Sequence, residues 1–340
     1  MSLRVGIMGF GRIGRNLFRQ AVEREDFEIV AISDLGTPEA MAYLLNFDTI
    51  YGRFPEEVTL DGKYLAAGRQ RARLLKGVAP EDMPWDAYNV DVVVDSTGVY
   101  RKRSQLEGHL RSGAHRVILT TPALDSIDRT VVHGVNEQSL RPEDRIVSCA
   151  SSTTHALALM LKVLDEAFGV ERAMMTTVHA YSSDQKLSDT ITPNLRRSRS
   201  AAENLIPNWT WSPGVVEKMM PHLKGKIDGI AVNVPVPNGS NLDLSAQLRG
   251  APDRDAVNAA LRDAAGGALN RYLEYATEPI VSSDVIGNDH SAVCDSLATL
   301  ALPGGLVKTI TWYDNGWGYA ARIIDTALTL GAFAVEEVQR

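Results

Sequence analysis

Leu3-Arg4-Val5-Gly6-Ile7 is a short apolar run, and just beyond it comes Gly9-Phe10-Gly11-Arg12-Ile13-Gly14, followed by a helical pattern over Asn16 to Glu23. This order of strand, glycine turn and helix is how a dinucleotide-binding βαβ unit begins. Gly9 permits the tight turn, Gly11 lets a pyrophosphate approach the backbone, and Gly14 lets helix pack on strand. The first amides of the helix then face the phosphates. The next apolar run, Phe27-Glu28-Ile29-Val30-Ala31-Ile32, ends on Ser33-Asp34, twenty residues after Gly14. A carboxylate there accepts hydrogen bonds from ribose hydroxyls and repels a 2′-phosphate, which favours NAD over NADP. The plain alternative is a structural glycine turn followed by a surface Asp, and the flanking strand and helix argue against it.

Further apolar runs at Val90 to Val94 and Arg116 to Leu119 read as buried strands of the same parallel sheet. Residues 52 to 84 carry short charged stretches and the hairpin signal Asp61-Gly62, so a small excursion interrupts the alternation. After Ser148 the pattern changes. A helix is predicted from about Thr153 to Phe168, with strands near Ala173 to His179, Ile227 to Pro235 and Asp243 to Leu248. Strand-rich material with long loops predicts a second, α+β domain. Trp317 to Val338 is apolar at helical spacing (Ile323, Ile324, Ala327, Leu328, Leu330) and is predicted to pack back on the first domain.

Composition narrows the function classes. A chain of 340 residues exceeds one typical core and fits two domains, and 44% apolar against 23% charged residues excludes a disordered chain. Lys plus Arg number 35 against 42 Asp plus Glu, a net charge of −7 that disfavours nucleic acid and anionic membrane as partners. Only Cys149 and Cys294 are present, which gives no disulfide framework and no zinc cluster. No metal site is expected. A reducing, cytoplasmic compartment follows as the expectation, since the N-terminus lacks a signal-peptide pattern and no segment is long and apolar enough to cross a bilayer.

Val5-Gly6-Ile7-Met8-Gly9-Phe10-Gly11-Arg12-Ile13-Gly14-Arg15 resembles the opening of the glyceraldehyde-3-phosphate dehydrogenase family, which includes erythrose-4-phosphate dehydrogenases. Asp95-Ser96-Thr97-Gly98-Val99, the TTVHAY stretch Thr176 to Tyr181, Asn194-Leu195-Arg196-Arg197, Val234-Pro235-Val236-Pro237-Asn238 and Trp312-Tyr313-Asp314-Asn315 recur in the family's order. The resemblance covers the whole chain. It implies a doubly wound Rossmann domain over 1–150, an α+β catalytic domain over 151–314 and a returning C-terminal helix over 315–340, assembled as a homotetramer. It also implies NAD contacts at Gly9, Phe10, Gly11, Arg12, Ile13, Gly14, Asp34, Thr97, Thr121 and Asn315, the last fixing the face of the nicotinamide that receives hydride.

The family's nucleophile is a cysteine that opens the central helix; its thiolate adds to the aldehyde, and phosphate releases the thioester. Here the segment reads Ser148-Cys149-Ala150-Ser151-Ser152-Thr153-Thr154-His155, with Ser152 at the nucleophile position. A helix N-terminus and an imidazolium convert a thiol to thiolate near neutral pH, whereas a hydroxyl stays protonated. The family's thiol chemistry is therefore expected to be crippled. Ser152 reflects either a bench substitution made to trap a complex or natural divergence. Cys149 and His155 both stand where the family has Asn, which favours divergence. Cys149 precedes the expected helix and reads as a small buried thiol, not a replacement nucleophile.

His179 matches the family's base. Inorganic phosphate is implied at Ser151, Thr153, Thr210 and Arg197, a set of donors that survives here. The substrate's own phosphate is implied at a threonine matching Ser182 and an arginine matching Asn233, so the second exchange removes a fixed cation. Trp211 stands where the family usually has glycine; it either packs at a subunit contact or reshapes the substrate pocket. Gly316, Trp317 and Ala320, next to Asn315, also depart from the family pattern. The basic run Arg196-Arg197-Ser198-Arg199 lacks aromatic interleaving and reads as a loop ion-pair cluster.

Two functions of different class follow. One is an NAD-dependent aldehyde dehydrogenase of the glyceraldehyde-3-phosphate type, acting on a sugar-phosphate-like aldehyde and slowed by Ser152. The other is a catalytically inactive NAD-binding homologue with a regulatory or assembly role. A third possibility, Ser152 and His179 as an esterase pair, lacks an evident carboxylate to orient the histidine.

Overall fold

A computed structural model describes residues 2–338, which fall into two compact units. The first comprises 1–151 with 319–340, the second 152–318.

The first unit runs β1 (Leu3–Met8), α1 (Arg12–Ala21), β2 (Phe27–Asp34), α2 (Pro38–Asn46), β3 (Phe47–Asp48), β4 (Gly52–Arg53), β5 (Thr59–Asp61), β6 (Tyr64–Ala67), β7 (Gln70–Lys76), β8 (Val92–Asp95), α3 (Arg103–Arg111), β9 (Arg116–Leu119), β10 (Arg129–Thr130) and β11 (Ile146–Ser148). Nine of these strands form one sheet in the order β10-β11-β9-β8-β1-β2-β7-β6-β5, with β1 paired in parallel to both β2 and β8. Such strands are covered on both faces, which is why β1, β2 and β8 read as near-continuous apolar runs. The hairpin expected at Asp61-Gly62 is the antiparallel pair β5–β6. Helix α1 begins at Arg12, earlier than the apolar spacing suggested, because Gly11 in extended backbone already serves as its N-cap.

The second unit contains α4 (Ser152–Phe168), β12 (Val170–Ala180), β13 (Ile206–Asn208), α5 (Ser212–Met219), β14 (Ile227–Val234), β15 (Ser240–Leu248), α6 (Arg254–Gly266), β16 (Leu273–Ala276), β17 (Ala292–Leu302) and β18 (Leu306–Tyr313). Its seven-stranded sheet has the order β13-β14-β12-β15-β18-β17-β16 and mixes parallel with antiparallel pairs. Helix α4 is buried without a break from Thr153 to Leu161, so it is apolar around most of its circumference and serves as the unit's central helix.

Helix α7 (Trp317–Val338) spans the residues expected for it. Its Ala320, Ile323, Ile324, Ala327 and Leu330 join Leu3, Val5, Ile7, Leu17 and Phe18 in the core of the first unit. Each fully buried Leu or Ile there contributes about 1.5–3 kcal/mol of transfer free energy. The fold is thus mixed α/β, with a doubly wound parallel sheet, a second α+β unit and a C-terminal helix built into the first core.

Candidate active site

The glycine turn after β1 has the shape its sequence requires. Gly9 adopts φ +93°, and a Cβ there would lie 2.9 Å from the backbone of Ser96. A Cβ on Gly14 would meet the Gly9 carbonyl oxygen at 2.4 Å, so only hydrogen allows α1 to sit this close to the turn. Gly11 differs, since a Cβ there would meet nothing within 4 Å. Its freedom from crowding marks the open side of the turn.

Asp34 closes this cradle. Its carboxylate accepts from Phe10 N at 2.6 Å and from Gly36 N at 2.8 Å, which brings the end of β2 against the fingerprint. The turn after β8 is tied to the same place, with Ser96 Oγ donating to Gly9 O at 2.6 Å. Thr97 donates from both its amide (3.0 Å) and its hydroxyl (2.7 Å) to Asp95 Oδ1, so this hydroxyl is committed to the turn itself. Thr121 is different: its Oγ1 is buried and has no hydrogen-bond partner among the described residues. These features fit a dinucleotide. Arg12 and Ile13 lie in the first turn of α1 and are partly buried.

The segment before α4 carries a strained residue. Ala150 has φ +53°, a conformation that costs a non-glycine residue on the order of 1 kcal/mol. Both of its peptide groups are pinned, with Ala150 N donating to Ser148 Oγ at 3.0 Å and Ala150 O accepting from the Tyr319 hydroxyl at 3.2 Å. Cys149 is fully buried and bonded to Thr326, and burial pushes its thiol up to about 12. It is the inert thiol expected. Ser151, partly buried, ends the first unit.

Ser152 is the first residue of α4 and is partly buried. Two hydroxyl chains radiate from the residues after it. Thr153 Oγ1 lies 2.7 Å from the Tyr313 hydroxyl, which is also 2.7 Å from Thr177 Oγ1 on β12. Thr154 Oγ1 donates to Ser212 Oγ at 3.1 Å, and Thr210 Oγ1 donates to the same oxygen at 3.3 Å. The first turn of α4, the end of β12 and the start of α5 are thereby drawn together.

His179 lies near the end of β12, its ring edge-on to Tyr313 with centroids 6.2 Å apart. Its Nδ1 is 2.6 Å from Ala180 O. A carbonyl only accepts, so Nδ1 carries the proton and Nε2 is left as the basic nitrogen of the neutral ring. Burial pushes the Tyr313 phenol up to about 12, which keeps the hub of the first hydroxyl chain neutral. Asn315 Oδ1 accepts from Ser240 Oγ at 3.2 Å, and Ser240 Oγ in turn accepts from Ala180 N at 3.0 Å.

The remaining residues form smaller groups. Asp184 holds both Ser182, whose Oγ donates to it at 2.5 Å, and the Arg197 guanidinium. No hydrogen bond links any two of Thr153, Thr210 and Arg197. Asn233 on β14 is the register partner of His179 on the neighbouring parallel strand. Trp211 is 43% exposed and packs edge-on against Trp209, with ring centroids 4.2 Å apart. Sequence reading missed Tyr313 as hub, Ser212, Asp184 and Trp209. Only the WTW spacing of the tryptophans gave any sign of them. Among the described residues no cluster of His, Cys, Asp and Glu suits a metal, and no helix is long and apolar enough to cross a membrane.

Comparison with known proteins agrees with this geometry. Residues 3–103 match the family "Glyceraldehyde 3-phosphate dehydrogenase, NAD binding domain", and residues 148–315 match "Glyceraldehyde 3-phosphate dehydrogenase, C-terminal domain". The chain is 45% identical to glyceraldehyde-3-phosphate dehydrogenase 2 of Streptomyces avermitilis over 333 residues, covering 97% of this chain and 99% of that one. It is 44% identical to the Streptomyces coelicolor enzyme (97% and 99% covered) and 43% identical to that of Geobacillus stearothermophilus (96% and 98% covered). With an NAD-binding Rossmann unit, a matching catalytic unit and relatives aligned almost end to end, the chain belongs to the glyceraldehyde-3-phosphate dehydrogenase family.

Proposed function

We propose that the chain is an NAD-dependent aldehyde dehydrogenase of the glyceraldehyde-3-phosphate type, in which Ser152 occupies the nucleophile position and limits turnover. The observation that carries this reading is the placement of Ser152 at the first residue of α4, with Thr153 joined through Tyr313 to the strand that bears His179. The N-terminus of a helix of 17 residues presents backbone amides and a positive dipole end, which favour an anion formed there.

NAD, when bound, supplies the hydride acceptor. The chain supplies the rest. Gly9, Gly11 and Gly14 shape the cradle, Asp34 receives the ribose hydroxyls, and Thr97, Thr121 and Asn315 line the remaining contacts. His179 Nε2 takes the proton from the attacking group and later moves it to the leaving one. Thr153, Thr210 and Arg197, together with Ser151, offer donors for the inorganic phosphate that releases the acyl group. A serine hydroxyl in place of a thiolate slows both the attack and the release.

We further propose a cytoplasmic homotetramer. The sheet of the second unit exposes Met174, Ile230, Leu297, Leu300, Leu302 and Leu306, an apolar surface of the kind that subunit contacts cover. Sedimentation of the purified chain tests the assembly.

The second reading, an inactive NAD-binding homologue with a regulatory or assembly role, is favoured by the chemistry of Ser152, a hydroxyl that stays protonated where the family has a thiol. Replacing Ser152 by Cys separates the two. Recovery of NAD reduction with a short aldehyde supports the dehydrogenase, and an inert variant that still binds NAD supports the homologue.

A further inference from the structure

Ser240 is fully buried at the start of β15, opposite Tyr313 in the antiparallel register of β15 and β18. Its hydroxyl has two lone pairs and a single hydrogen. Ala180 N donates to Oγ at 3.0 Å, and Oγ gives its hydrogen to Asn315 Oδ1 at 3.2 Å. Ala180 O in turn accepts from His179 Nδ1 at 2.6 Å. One hydroxyl therefore joins the peptide that orients His179 to the side chain of Asn315.

The backbone around Asn315 is fixed separately. Asp314 Oδ1 accepts from Gly316 N at 2.8 Å and from Trp317 N at 2.7 Å, and its Oδ2 accepts from Gly287 N at 2.8 Å. What these bonds leave open is the torsion of the Asn315 side chain, which decides the end of the amide that faces a ligand. The two ends are unlike, since Oδ1 only accepts and Nδ2 only donates. Ser240 engages Oδ1, and the donor end lies on the other branch of the amide. A side chain tied in this way has less freedom to lose when a ligand arrives, which is how preorganisation raises affinity.

We propose that Ser240 is a positioning residue for the coenzyme: it acts through Asn315, whose amide it holds with Nδ2 as the end that meets the carbonyl of the nicotinamide carboxamide. The inference rests on the reading of Asn315 as a nicotinamide contact. Its test does not require turnover.

The test is calorimetric titration of the full chain with NAD and with ADP-ribose, which lacks the nicotinamide, in the native protein, Ser240→Ala, Asn315→Ala and the double variant. Ser240→Ala is expected to weaken NAD by about three- to tenfold, the scale of one neutral hydrogen bond, and to leave ADP-ribose unchanged. Asn315→Ala is expected to weaken NAD at least as much, again without effect on ADP-ribose. In the double variant NAD binds no more weakly than in Asn315→Ala alone, because the residue through which Ser240 acts is gone. A disturbance passing through Tyr313, which also hydrogen-bonds Ser240, would instead add its full factor in both backgrounds. Ser240→Cys keeps the shape with a weak donor and gives the same reading if Ser240→Ala fails to fold. Native NAD affinity in the Ala and Cys variants, equal losses of NAD and ADP-ribose, or additive losses in the double variant overturn the proposal. An Asn315→Ala variant that binds NAD like the native chain overturns the reading of Asn315, and the proposal with it.

Discussion

The hydroxyl of Tyr313 stands 2.7 Å from that of Thr153, although 160 residues separate them in the chain. The same phenol reaches Thr177 at 2.7 Å, so one buried group fixes the first turn of α4 against the strand that carries His179. Burial sets its protonation as well as its place.

Tyr313→Phe keeps the ring and removes the hub. The Thr153 and Thr177 hydroxyls then lose a shared partner in a dry site, at an expected cost of about 1–3 kcal/mol. Urea unfolding of the two proteins measures this as a lower midpoint with an unchanged slope. Equal midpoints would mean that the hydroxyl chain contributes nothing to stability.

The buried acids predict an alkaline limit. Burial, reinforced at Cys149 by Asp325, raises the thiols of Cys149 and Cys294 from 9.0 to about 12, and burial raises the Tyr313 phenol from 10.0 to about 12. In the unfolded chain these groups lose their protons at the lower values, so between about pH 9 and 12 the folded state binds more protons than the unfolded one. Stability is fully present below pH 9 and falls as the pH rises through this window. Unfolding measured at increasing pH should show that decline, and a thiol reagent at pH 8 should find neither cysteine in the native protein and both in urea. Rapid labelling of the native chain would contradict the burial.

The three glycines of the first turn should separate by mechanism. Gly14→Ala drives a methyl into the Gly9 carbonyl and is expected to destabilise the fold by several kcal/mol. Gly11→Ala meets nothing in the protein, so its unfolding should match the parent while NAD affinity drops, because the methyl stands where the pyrophosphate approaches. Thermal unfolding with and without NAD reads both effects. Equal NAD affinity in Gly11→Ala would move the phosphates elsewhere.

Asp34→Ala should weaken NAD by about ten- to a hundredfold, the range for hydrogen bonds to a charged group, and should narrow the gap to NADP. The carboxylate also holds Phe10 N and Gly36 N, so part of the loss reflects a loosened turn. The NADP to NAD ratio isolates the charge effect. An unchanged ratio would remove Asp34 from the ribose.

The sequence made the first unit legible where local rules govern it. Gly9, Gly11 and Gly14 sit at fixed offsets after an apolar run, and α7 shows its apolar stripe openly. The edge strand β10 and its neighbour β11 escaped because two or three residues are too few for a pattern. Strand β15 begins at Ser240, ahead of its expected start, because its first residues Ser240 and Asn241 are polar. The site itself was legible only as a set of positions. Thr153 meets Tyr313 and Thr154 meets Ser212 through contacts that tertiary packing creates, and both span long stretches of chain that no local pattern registers. The positive φ of Ala150 was equally silent, since alanine is no marker for that conformation.

The central claim is that this chain retains the frame of an aldehyde dehydrogenase and lacks chiefly the sulfur. Its most direct test is NADH formation by Ser152→Cys and by the native chain, assayed side by side with NAD, inorganic phosphate and either glyceraldehyde or its 3-phosphate. The account predicts that the variant reduces NAD orders of magnitude faster than the native chain with at least one of the two aldehydes. A variant that binds NAD as tightly as the native chain yet forms no NADH with either would contradict it.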